Sequence, residues 1–327
     1  MQTGLFVISL DFELLWGVRD KRTIESYGKN IRGVRQVIPS LLELFDQYSI
    51  TATFATVGFL FARDKQELLR HQPAILPEYG ETKYSPYAND YLKSVGNSEK
   101  EDIYHYAETL IKQIQQHPKQ EIASHTFSHY YCLENASLPS FECDLMSAKN
   151  IAATYNIELK SIIFPRNQYT KEHVEICKKL GFIAYRGNAQ STVYRPRKNE
   201  EQSRLIRAAR LVDSYMNITG HQTSAIKKKE NIVNIPASRF LRPYSPKLEM
   251  LDKFRLKRIQ NSMTFAAKHK QAFHLWWHPH NFGIHLQENL SFLEEILKHY
   301  QRLNLEFGME NKNMKTIAEE ILEPHAV

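Results

Sequence analysis

Short apolar runs of strand length alternate with stretches of helical period along most of this 327-residue chain. That alternation restricts it to an α/β architecture built on a mostly parallel sheet. Phe6–Leu10, Thr51–Val57, Glu121–Ser124, Ser161–Phe164, Phe182–Tyr185, Val233–Pro236 and Ala272–Trp277 read as strands. Between them, Val37, Leu41, Leu42 and Phe45 recur at helical spacing within Val34–Tyr48. Further helices are predicted over residues 100–116, 138–155, 171–180 and 250–269, and Gly181 stands where a helix C-terminal cap is expected. Pro73–Asn97 reads as an insertion, whereas residues 186–231 are polar and carry no assignable period.

A hydrophobic content of 42% with 24% charged residues suits one large core, so a single domain over residues 1–327 is expected. The first ten residues have no basic lead and too short an apolar stretch for a signal peptide. No run approaches the roughly 18 apolar residues of a membrane span, which predicts a cytoplasmic chain. Cys132, Cys143 and Cys177 are odd in number and lack metal-type spacing, as reduced structural thiols would. The net charge of +7 is dispersed except in Arg195–Lys198 and Lys227–Lys229, which read as solvated loops, so nucleic acid is not an expected partner.

In parallel βα arrangements functional residues gather where strands end. Asp11, Glu13, His125, Arg166 and His278 all follow predicted strands. His125 and His129 are four residues apart, a spacing that 14 histidines would produce by chance roughly 0.6 times. A second such pair, His274 and His278, lies along a strand that would separate the rings by roughly 13 Å, too far to share an ion. The first pair leaves its strand into a turn and can converge. With Glu13 it forms two nitrogens and one carboxylate, a set that holds a divalent metal and leaves positions open. Asp11, two residues from Glu13 in extended chain, faces the same side and is placed to accept a proton.

The order Ser-Leu-Asp11-Phe-Glu13, Ser-His125-Thr-Phe-Ser-His129, Ile-Phe-Pro-Arg166-Asn and Leu-Trp-Trp-His278-Pro resembles the polysaccharide deacetylases, the NodB-homology or carbohydrate esterase family four enzymes. The resemblance runs from about residue 5 to residue 283. It implies a distorted (β/α) barrel, here of seven predicted parallel strands, and a divalent metal such as zinc. It also implies hydrolysis of an acetylated sugar or glycan precursor. By motif, Asp11 would be the base, Glu13, His125 and His129 the metal ligands, Arg166 the partner of the base and His278 the acid, with His280 as the alternative. Asp11 and Glu13 flank Phe12 where the common motif has adjacent Asp residues. This Asp-x-Glu form also occurs in allantoinase-like branches, so a cyclic amide or ureide is the rival substrate, and a sugar-binding barrel without catalysis is the other rival. Asp213 is the candidate for the family's fourth motif, and Trp16, Tyr169 and Trp277 are candidates for stacking on a sugar ring.

Overall fold

Eight consecutive buried residues, Leu5–Phe12, form strand β1, on which the fold is built. A strand buried on both faces needs a covering layer on each, and its alternating side chains supply two. Phe6, Ile8, Leu10 and Phe12 enter a large outer core shared with the helices. Leu5 and Val7 belong to a smaller inner core, and Ser9 and Asp11 follow them on the same face. The computed structural model describes residues 3–189, 191–194 and 204–323. The basic run Arg195–Lys198 lies outside them.

The other strands are β2 (Thr53–Thr56), β3 (Glu121–Ser124), β4 (Ser161–Ile162), β5 (Ala184–Tyr185), β6 (Lys227–Lys229), β7 (Ile232–Asn234), β8 (Arg239–Phe240), β9 (Ala272–Trp277) and β10 (Glu310–Asn311). Their hydrogen-bonded order is β6-β7-β5-β4-β3-β2-β1-β9-β8, with β10 beside β1. Eight strands of this path, β7 through β8, run parallel and curl into an open, distorted (β/α) barrel, one strand more than expected. The extra strand, β8, is two residues long, too short to show a period. Lys227–Lys229, expected as a solvated loop, pairs antiparallel with β7 at the sheet edge.

One extended segment, residues 232–240, spans the gap between the ends of the path. Ile235 and Ala237 donate to the carbonyls of Tyr185 and Gly187 on the β5 side, and Ser238 and Leu241 donate to those of His274 and Trp276 on the β9 side.

The helices are α1 (Ile24–Gln47), α2 (Lys65–Arg70), α3 (Tyr91–Ser94), α4 (Glu108–Gln115), α5 (Leu138–Ala153), α6 (Lys171–Lys179), α7 (Arg204–Asp213), α8 (Asp252–Lys268), α9 (Leu286–Phe307) and α10 (Met314–Leu322). Helix α1 starts ahead of the expected Val34 because Thr23 and Ser26 cap it reciprocally. Helix α4 is shorter than predicted: the Asp102 carboxylate accepts from Gly96 and Tyr104 N–H and holds the preceding residues in turns. Helix α10 closes the end of the barrel opposite the strand C-termini, with Met314, Ile317 and Ala318 in the inner core. The Thr53 hydroxyl and the Glu121 carboxylate accept its first N–H groups. Among the described residues no helix is long and apolar enough to cross a membrane.

Candidate active site

At the open end of the barrel, β1 gives way after Phe12 to a tight turn in which Leu14 has φ 47°. Glu13 opens this turn. Gly17 closes it, and a Cβ at that position would overlap the Glu13 carboxyl group. Strand β3 delivers His125, and the chain then reverses through Thr126 and His129, at φ 63° and 58°. Left-handed conformations cost on the order of 1 kcal/mol each and persist where the surroundings impose them. Here Asp144 of α5 accepts from the N–H groups of Phe127 (2.6 Å) and Ser128 (3.2 Å) and from the Ser128 hydroxyl. On the other side, the Thr126 and Phe127 carbonyls accept from Gly58 and Phe59.

This turn brings His125 and His129 onto one carboxylate oxygen. Glu13 Oε2 lies 3.3 Å from His125 Nε2 and 3.0 Å from His129 Nε2, and one donor atom from each of the three buried residues falls within 4.8 Å of the others. His125 Nδ1 is 2.8 Å from the Ile163 carbonyl, which can only accept, so Nδ1 carries a proton and Nε2 is the nitrogen turned toward Glu13. That Nε2 is buried and makes no hydrogen bond among the described residues. Burial would raise the Glu13 carboxyl, but His278, His125 and His129 together hold it well below the usual carboxylate range. Burial lowers His129 to about 4, leaving it neutral at pH 7. An ionised carboxylate and two buried imidazoles converging on it, one of them neutral His129, fit a divalent metal ion.

Asp11 stands beside this cluster, but its partner is not the expected Arg166. Arg186, immediately after β5, grips both Asp11 oxygens at 2.6 and 2.8 Å and is itself fully buried. Its remaining N–H groups reach Asn167 Oδ1 and Ser9 Oγ, and its guanidinium lies 4.2 Å from the Trp276 ring centre. Burial would raise the Asp11 carboxyl, yet Arg186, aided by His125 and His278, holds it below its ordinary value. Arg166 and Asn167 both adopt positive φ after Pro165. This turn leaves Asn167 facing Arg186 and sends Arg166 to Asp20 (2.5 Å) and over Tyr131. Arg186 satisfies the same rule, a charged residue just past a predicted strand, that singles out the other site residues.

His278 lies at the mouth, its Nε2 3.8 Å from Asp11 Oδ2 and 3.6 Å from Glu13 Oε1. Its Nδ1 meets Asn281 Oδ1 at 3.2 Å. The turn that carries it is clamped to α1, where Gly33 and Gly283 touch backbone to backbone and Asn30 donates to the His280 carbonyl. His280 stacks on His278, buried, with Nδ1 4.0 Å from Glu13 Oε1. His274 sits deeper and bonds Ser9 Oγ, so the second histidine pair does not converge.

Trp16 and Trp277 are fully buried and offer no face to a ligand: Trp16 packs on Phe59 and donates to the His105 carbonyl, and Trp277 stacks on Phe282. Tyr169 is half-buried against Phe164. Along β9 the period of two turns Trp277 toward the helices and Trp276 toward His278, 5.7 Å between rings. Asp213 is fully occupied elsewhere, by Arg239, Tyr194 and Thr219.

A sequence profile described as polysaccharide deacetylase matches residues 28–185. That stretch contains His125, His129 and Arg166 but not Asp11, Glu13, Arg186 or His278, which are joined to it by geometry alone. A search of curated proteins by sequence returned no match. Among solved structures, a Mycobacterium smegmatis protein assigned to the polysaccharide deacetylases superposes with a TM-score of 0.60 at 10% identity, over 100% of this chain and 92% of that one. PuuE allantoinase superposes with a TM-score of 0.54 at 9% identity, over 98% and 91%. A GH57-type branching enzyme from Pyrococcus horikoshii gives 0.55 at 11% identity, over 98% and 70%. At such identities these likenesses establish the fold.

Proposed function

The chain belongs, over residues 28–185, to the polysaccharide deacetylase (NodB-homology) family, and from that premise we propose that it is a metal-dependent hydrolase that removes the acetyl group from an N-acetylated sugar of a surface polysaccharide or its precursor. One observation carries the reading: the Asp11 carboxylate gripped by Arg186 and the His278 imidazole at the mouth stand beside the Glu13, His125 and His129 cluster at the ends of the neighbouring strands β1 and β9. The donor set suits zinc. When bound, such an ion polarises the amide carbonyl and makes water more acidic.

The protein's own groups divide the proton transfers. Asp11, ionised and oriented by the two-point grip of Arg186, accepts a proton from the attacking water. His278 donates to the amine nitrogen as the C–N bond breaks, and Asn281 fixes the ring that does so. Without that proton the amine is a poor leaving group and the addition reverses.

The test is acetate release from a panel of N-acetylated sugars, with metal content measured on the same preparations. His125→Ala and His129→Ala are expected to lose both metal and activity, because two ligands hold an ion far more weakly than three. Full occupancy in these variants overturns the metal assignment. Ring opening of a cyclic ureide without acetate release assigns the same site to the rival C–N bond.

A further inference from the structure

We propose that the face formed by residues 205–218 and 246–254 docks on an anionic lipid surface and presents the mouth of the barrel to it. Leu211, Val212, Tyr215, Met216, Leu248 and Phe254, with Leu251, line an apolar hollow of about 430 Å³. Around it, apolar side chains stand in solvent: Met250 is 88% exposed, Leu205 81% and Met216 64%. Leu205 and Val212 are seven residues apart on α7, and Met216 N–H continues the helical bonding to the Val212 carbonyl, so the three share a face. An apolar surface of this kind marks an interaction site.

Charge selects the occupant. Exposed Arg207, Lys247 and Lys253, with half-buried Arg242, border the apolar residues. The nearby acids are Glu249 and Asp252, and Asp252 is paired with Arg255 at 3.0 Å. Among the described residues Lys247 and Lys253 have no ion pair. Protruding Leu, Met and Phe side chains beside long basic ones match a bilayer interface, where the first enter the acyl region and the second reach the phosphates.

The position adds a purpose. The segment bearing Leu248–Phe254 leaves β8 at Phe240, whose ring lies 5.8 Å from His278. Helix α7 is tied to the same strand through the Asp213–Arg239 pair. A substrate sugar carried on a lipid would meet His278 without leaving the surface. The inference goes beyond the proposed chemistry and does not depend on it, since binding is read without turnover.

The experiment is flotation of the full chain with phosphatidylcholine vesicles, with and without phosphatidylglycerol. Binding is expected only with the anionic lipid, weakening as salt rises. Met250→Asp with Phe254→Asp should lower it about tenfold or more, and Lys247→Glu with Lys253→Glu should also lower it. All four positions are solvent-exposed, and unchanged metal content and thermal midpoint check folding. Absence of binding, or binding equal in the variants, overturns the proposal. So does a dimer in sedimentation that Met250→Asp with Phe254→Asp converts to monomer while no vesicle binding is seen, because the face is then a contact between copies of the chain.

Discussion

In the proposed mechanism Arg186 sets the pH at which Asp11 can act. Burial alone would raise the Asp11 carboxyl, and the guanidinium outweighs it. A base must be ionised, so the rate falls as pH drops through its pKa. In Arg186→Met that pKa rises, and the acid limb of the kcat/KM profile is expected to move up by about one unit or more. The same variant strands a buried carboxylate, and denaturant unfolding should show a loss of about 3–5 kcal/mol. An unmoved limb would assign the base elsewhere. At Gly17 the constraint is steric: alanine overlaps the Glu13 carboxyl, so Gly17→Ala should release metal while its thermal midpoint shifts by only a few degrees, which metal analysis and calorimetry on one sample can check. His278→Ala should depress kcat more for an N-acetyl sugar than for an activated acetyl ester, whose alkoxide leaves with less need of a proton. Equal losses on both substrates would make His278 a packing residue.

Among the elements, the turn after β3 is the one on which the histidines depend. Burial pushes the Asp144 carboxyl up to about 7, yet it accepts from two backbone amides and a hydroxyl that hold His125 and His129 in place. Asp144→Ala leaves the Phe127 and Ser128 amides without an acceptor, at a cost of about 1–3 kcal/mol each, and metal retention should fall although neither ligand has changed. Chemical denaturation and metal analysis measure the two effects. The sequence makes the ligand pair legible because a strand followed by a turn leaves a periodic trace, and Asp11, Glu13 and His278 are legible as strand-end residues. Asp144 leaves no such trace, being one acid on an amphipathic helix. Arg186 was within reach of the strand-end rule, but Arg166, which follows an apolar run of the same length, stands in the more familiar motif. What separates them is the positive φ of Arg166 and Asn167, and local sequence does not reveal which of two arginines points inward. Trp16 and Trp277 show a similar limit: aromatic residues near strand ends look alike until the register decides which face is buried.

At the scale of the whole molecule, the barrel is stoppered at one end by α10 and carries the candidate site at the other. The motif resemblance stops near residue 283, so this stopper lies beyond anything the motifs predict. Ile317 is buried in the inner core with Leu5, Val7 and Ala55. Ile317→Ala should cost about 2–5 kcal/mol in urea unfolding, and a loss below about 1 kcal/mol would mean that α10 rests on the barrel without sealing it.

The segment over residues 232–240 clasps that barrel, with the Ser224–Ala272 bridge as a second tie between its two sides. Asp11 and His278 stand on one side of it, Arg186 on the other, and the Asp11–Arg186 pair crosses the lumen inside. Unfastening residues 235–238 together with that bridge would therefore loosen Asp11 from Arg186 while strands β1 to β5 and β9 stayed paired. In the proposed mechanism, amide exchange at Ile235, Ala237 and Ser238 then becomes a gauge of readiness: protein in which these three amides exchange freely would keep the rest of its sheet and lack the Arg186 grip that holds Asp11 ionised.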